Sequence, residues 1–282
     1  MCSTRCLRLI HDPKIEASDD PQPMDKRLIF AALITLVFTG CSPEGCVLVK
    51  GGALPEDSPL GAVPVATFYI GKTEVTWGEW KKVRTWAVAN GYLDLADLNT
   101  DLKEGVGDQY PVSDVSWYGV VKWCNARSEM ERRTAVYRDG ADVYRTGAVS
   151  ELVVVSTANG YRLPSEKEWE FAARGGTKAN GYTYSGSNDL NAAGWYRGNS
   201  EESVHEVGRK LANELGIFDM SGNLWEWTGS WSPQHEGASR VIRGGFWGVY
   251  AGYCAVAYNR NRGAPEFHYN SLGFRVALSS VP

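Results

Sequence analysis

Tyr161-Arg162-Leu163-Pro164-Ser165-Glu166-Lys167-Glu168-Trp169-Glu170 is the stretch from which the chain's architecture is read. Ser165 and Glu168 stand three residues apart. The hydroxyl can therefore accept from the third helical amide while the carboxylate returns to the N–H of the cap. Pro164 lies just outside, and Trp169, Ala172 and Ala173 follow before Gly175-Gly176 stops the run, so a short helix is predicted. The same box recurs upstream at Thr76-Trp77-Gly78-Glu79, where Trp80, Val83 and Ala87 repeat at three and four until Gly91. Ser116 caps a third helix whose Trp117, Val120, Val121 and Cys124 fall on one stripe, with Val115 placed to staple onto Val120. Cys124 then faces a core.

Beyond these helices only brief strand candidates stand out, at Val65–Ile70, Val241–Arg243 and Gly273–Leu278, separated by Gly- and Asn-bearing turns. A chain of 282 residues with 43% hydrophobic residues has a core and is not disordered. Its 31 Gly, 11 Trp, 14 Tyr and 8 Phe describe many turns braced by large flat side chains. The net charge of −4, without a basic block, argues against a nucleic-acid partner. His11, His205, His235 and His268 are scattered, and no Cys-x-x-Cys or His-Glu-x-x-His occurs, so zinc is not expected. A nucleophile elbow, a phosphate-binding glycine loop and an EF-hand loop are also missing. The acids Asp94, Asp97, Asp101 and Glu104 read as a solvated loop.

Residues 1–40 read as a signal region whose true start is Met24: Lys26-Arg27 precede an apolar run from Leu28 to Phe38, too short for a bilayer, which needs about 20 residues. Phe38-Thr39-Gly40-Cys41 resembles the cleavage box of bacterial lipoproteins, although Phe38 stands where Leu is commoner. The resemblance implies lipidation of Cys41, hence export and a lipid anchor to a bacterial membrane; a plain secretory signal is the other reading. Residues 41–63, rich in Gly and Pro, have the composition of a tether, leaving 64–282 as the folded domain. Cys46, Cys124 and Cys254 remain, an odd number that cannot all pair within the chain.

Four segments, in order, resemble the formylglycine-generating enzyme family, also called the sulfatase-modifying-factor family. They are Phe68-Tyr69-Ile70-Gly71-Lys72-Thr73-Glu74-Val75-Thr76; Tyr161 to Glu170 as quoted above; Gly222-Asn223-Leu224-Trp225-Glu226-Trp227; and Arg243-Gly244-Gly245 with Leu272-Gly273-Phe274-Arg275. The resemblance implies a single mixed α+β, loop-rich domain related to C-type lectins. It also implies a structural calcium held by Glu226, Asn223 and backbone oxygens of Ser221, Gly222 and Leu224, a donor set of hard oxygens that suits the ion. In the competing reading Glu226 pairs with an arginine of the core. A second calcium site of the family falls at Ala193-Gly194-Trp195, where Gly194 replaces its asparagine.

Oxidase members of the family hold Cu(I) between two cysteines five residues apart, after a Gly-Gly-Ser stretch, and convert a substrate cysteine to formylglycine. Here Phe246 stands in place of the serine and Val249 in place of the first cysteine, while Cys254 matches the second. A valine offers no lone pair to a soft metal, so copper is not expected. Cys254 reads either as a buried remnant or as a thiol activated by Arg260 or Arg262. The aromatic residues Phe246, Trp247 and Tyr253, with Arg260 and Arg262, would line a cleft suited to a peptide or a glycan. The expectation is an exported lipoprotein that binds such a ligand without copper-dependent oxidation. The alternative is an active protein-modifying oxidoreductase of the same family.

Overall fold

The computed structural model describes residues 43–96, 107–149, 151–259 and 261–280. These lie in one compact unit, Cys41–Pro282. The signal region, Cys41 and Arg260 lie outside the described residues.

The strands in chain order are β1 (Cys46–Val49), β2 (Gly52–Ala53), β3 (Pro64–Val65), β4 (Phe68–Gly71), β5 (Tyr137–Asp139), β6 (Asp142–Val143), β7 (Val153–Val154), β8 (Tyr161–Arg162), β9 (Trp225–Trp231), β10 (Arg240–Arg243), β11 (Asn261–Gly263), β12 (Leu272–Gly273) and β13 (Ala277–Ser279). The helices are α1 (Trp77–Ala89), α2 (Trp117–Met130), α3 (Glu166–Ala173) and the single turn α4 (Leu190–Ala193). Two four-stranded sheets run in the orders β1-β4-β13-β8 and β11-β10-β9-β12, beside the β2-β3 pair and the small sheet β6-β5-β7. The fold is therefore mixed α+β with long connections, as the family resemblance implies.

All three expected caps form. Thr76 and Ser165 each close a complete capping box, and the Ser116 side chain accepts from Gly119 N–H. α1 and α2 pack face to face: the Trp80 and Trp123 rings stack at 6.0 Å, and Phe274 meets both edge-on. Cys124, Val115 and Val120 are buried in this cluster, as their spacing requires. A second cluster lies where α3 meets the first sheet and joins Trp169, Phe171, Phe68, Ile70 and Ile217.

Two readings of the sequence need correction. The described part of the expected tether 41–63, residues 43–63, is not free, because β1 pairs along its whole length with β4, Cys46 opposite Gly71 and Val49 opposite Phe68. Val49 and Leu54 are buried in the second cluster, so Gly- and Pro-rich composition here marks tight turns between core residues. β9 was not expected as a strand. Its first four residues, Trp225 to Thr228, are all buried, so it carries no alternation of apolar and polar positions.

Candidate functional site

The centre of the molecule is built where β9 meets its neighbours. Glu226 lies opposite Arg243 on β10 and beside Gly273 on the parallel strand β12. That register brings Arg275, two residues beyond Gly273, onto the Glu226 carboxylate. Arg275 Nε donates to Oε2 at 2.7 Å and Nη2 to Oε1 at 2.6 Å, and Trp169 Nε1 donates to Oε2 at 2.7 Å. Both charged side chains are fully buried, and Arg275 also ties Gly71 and Phe218 carbonyls into the centre. Glu226 is thus engaged by an arginine and an indole. The ion pair of the competing reading is therefore present at Glu226.

Asn223, named with it, is engaged through both side-chain atoms and its carbonyl. Asn223 Oδ1 accepts from His205 N–H, its Nδ2 reaches Glu74 and the His205 carbonyl, and its own carbonyl accepts from Trp247 N–H. Ser221 Oγ accepts from Ser185 N–H. The chain around them turns sharply, with Asp219 and Asn223 both in the left-handed region (φ 59° and 63°), where short polar side chains are tolerated best.

Two other carboxylates lie at this turn. Glu74, between β4 and α1, is fully buried and accepts from Leu224 N–H at 3.2 Å and Asn223 Nδ2 at 3.3 Å. Asp219 is 2% exposed; its Oδ2 accepts from Gly208 N–H, while its Oδ1 is buried with no partner. Burial and mutual repulsion, with Glu226 adding to it, push the Glu74 carboxyl well above the usual carboxylate range. Burial pushes Asp219 up to about 6. Glu74, Asp219 and Glu226 share one guanidinium, that of Arg275, in a dry site, where a divalent cation would favour the charged form of the two raised carboxyls. Among the described residues no three His, Cys, Asp or Glu side chains converge as a metal cage, so such a site would combine these two carboxylates with backbone oxygens. Sequence reading missed both, although Glu74 stands in the quoted Lys72-Thr73-Glu74-Val75 motif, two residues before the helix cap Thr76.

At the second expected calcium position, Gly194 has no room for a side chain, since a Cβ there would overlap the Ser221 carbonyl oxygen.

The copper position is likewise altered. Cys254 ends a 3-10 turn, Ala251–Cys254, and is fully buried. A Cβ on Gly245 would lie 2.5 Å from its Sγ, so the thiol is pressed against backbone. Burial pushes it up to about 12. Val249 is half-buried against the first core cluster, and the other described cysteines, Cys46 and Cys124, are buried and unpaired. These residues do not fit a two-thiolate copper site.

Around Cys254 an aromatic patch does assemble. Trp225 meets Phe246 and Tyr258 at 6.4 and 6.1 Å, Phe246 meets Trp247 edge-on at 5.3 Å, and Tyr253 meets Tyr258 at 5.1 Å. Tyr253 and Tyr250 are exposed, and Arg197 lies over the Tyr250 ring at 4.9 Å. Arg262 is placed elsewhere: on β11 opposite Val241, it lines a separate cavity of about 360 Å³ with Glu166 and Gln234. Arg243 is buried on Glu166 and Glu170, and His268 pairs with Asp114. Arg197 was missed because only folding brings it to the patch.

A family model described as "Sulfatase-modifying factor enzyme 1-like domain" matches residues 37–280. The chain is 32% identical to "Chaperone protein LppX" of Paenibacillus barcinonensis, over 89% of this chain and 96% of that protein. It is 28% identical to the formylglycine-generating enzyme of Bos taurus, over 80% of this chain and 69% of the relative. Among solved structures, that of CarF superposes with a TM-score of 0.75 at 27% identity, covering 84% of this chain and 98% of CarF. No helix among the described residues is long and apolar enough to cross a membrane. With sequence motifs, fold and family model in agreement, the chain belongs to the sulfatase-modifying factor enzyme 1-like family.

Proposed function

We propose that this domain is an exported binding module of its family, in which copper-dependent cysteine oxidation is lost and the aromatic patch takes a peptide or glycan. The observation that carries this reading is the pair Val249 and Cys254: one offers no lone pair, and the other is a buried thiol held protonated by desolvation. The exposed rings of Tyr250 and Tyr253, with Arg197, supply flat apolar faces and a guanidinium, which suit backbone and side chains of an extended peptide or the faces of a sugar. Similarity to a protein called a chaperone favours a polypeptide as the ligand. Lipidation of Cys41 would place the module at a bacterial membrane surface.

A structural calcium belongs to the same proposal. Glu74 and Asp219 would hold it together with backbone oxygens, and the ion would cancel their mutual repulsion and fix the turn that carries Asn223 and Trp225.

Titration of the full chain with peptide and oligosaccharide panels tests the ligand assignment. Saturable binding is expected, weakened roughly tenfold by Tyr250→Ala with Tyr253→Ala, since exposed aromatics at such sites carry much of the energy. Binding indifferent to both substitutions would contradict it.

A further inference from the structure

Away from that patch, a second pocket of about 460 Å³ opens beside β9 and β10, within the usual size range of small-molecule sites. At its wall Arg240 is held between two indoles, its guanidinium carbon 3.7 Å from the Trp117 ring centre and 3.3 Å from that of Trp231. The side chain is 7% exposed. It donates from Nη1 to the Gly229 carbonyl at 2.9 Å, while its Nε is buried with no acceptor.

Arg240 differs from the other buried arginines of the domain. Arg275 is paired with Glu226, Arg243 with Glu166 and Glu170, Arg127 with Glu79 and Glu131, and the half-buried Arg162 with Glu168. Arg240 has no ion pair among the described residues, and burial lowers it to about 10 with no carboxylate acting on it. Glu168 lines the same pocket, but both of its oxygens are bound by Arg162. The pocket therefore keeps one uncompensated positive charge. Two aromatic faces soften its desolvation without supplying an acceptor. Leu152, Val154 and Val155 add apolar surface to the lining, and Val154 is 55% exposed.

We propose that this pocket binds a single carboxylate carried on an apolar body, the carboxylate accepting from the Arg240 guanidinium and the body lying on Leu152, Val154 and Val155. None of the residues lining the pocket belongs to the aromatic patch, so the site is independent of the proposed peptide or glycan cleft. A chain terminus with an apolar last residue and a small aromatic acid share this chemistry.

The test is calorimetric titration of the full chain with N-acetyl-alanyl-phenylalanine, with its C-terminal amide, and with 3-phenylpropionate. The peptide acid should bind saturably and at least roughly tenfold tighter than the amide, as expected when a charged acceptor meets a buried guanidinium. Equal binding of 3-phenylpropionate identifies a small acid as sufficient, and binding of the peptide alone identifies a chain terminus; either supports the site. Removing Arg240 also empties the slot between Trp117 and Trp231, so the folding-neutral variants are at the exposed Val154. Val154→Asp should weaken the peptide acid severalfold more than Val154→Asn, and Tyr253→Ala should leave it unchanged. Acid and amide binding alike, no saturable binding of either acid, equal effects of the two Val154 variants, or loss of binding in Tyr253→Ala would each overturn the proposal.

Discussion

Arg275 and Glu226, separated by nearly the whole second sheet in sequence, form a fully buried ion pair of 2.6 Å whose carboxylate is also held by Trp169. The pair joins β9, α3 and the last strands, so its removal is felt across both sheets. Glu226→Ala strands a buried guanidinium and should destabilise the domain by about 3–5 kcal/mol in denaturant titration, with or without calcium. A cost below about 1 kcal/mol would mean that the pair is replaceable by water.

Calcium should act at a different place. Added calcium is expected to raise the melting midpoint, and Glu74→Gln or Asp219→Asn should abolish that response, by the linkage of a ligand to the folded state. In chelator, Asp219→Asn should be no less stable than wild type, because it removes a buried, partly unpartnered charge. A midpoint insensitive to calcium would remove the assignment.

Gly194 permits no repair of the second calcium position. Gly194→Asn would drive a side chain into the Ser221 carbonyl and should lower stability by several kcal/mol, without creating metal affinity. A stable Gly194→Asn variant that binds calcium more tightly would contradict this packing.

The thiols give a pH prediction. Cys46 is pushed up to about 11 and Cys254 to about 12, each mainly by burial, from an ordinary value of 9.0. Both are protonated in the folded protein well above the pH at which the unfolded chain ionises them. Their contribution to stability is therefore whole below pH 9.0 and falls as pH rises toward about 12. Alkylation followed by mass mapping at pH 8 should leave Cys46, Cys124 and Cys254 unmodified until denaturant is added. Rapid labelling of Cys254 would restore it as a reactive centre.

How much of this was legible beforehand divides by range. Thr76, Ser116 and Ser165 announced their helices because a cap and its partner lie within one turn of each other, and the apolar stripes behind them buried as spaced. β1 was hidden in a Gly- and Pro-rich segment, since its partner β4 becomes visible only once paired. The site was less legible. Glu226 stood out in its motif, and pairing with a core arginine was one of its two readings, but which arginine was not legible, because Arg275 reaches it only through the parallel β9–β12 register. Glu74 and Asp219 lie far apart in sequence, and nothing local marks them as neighbours. Phe246 and Val249 were readable directly, because a missing thiolate is a property of the residue itself.

The measurement that tests the central claim most directly is oxygen uptake and product mass on the purified protein, given Cu(I), a reductant and a cysteine peptide of the kind sulfatases carry. The account predicts no turnover and no formylglycine, because Val249 cannot ligate copper and Cys254 is buried. Formylglycine in the product would contradict it and show that another thiol completes the copper site.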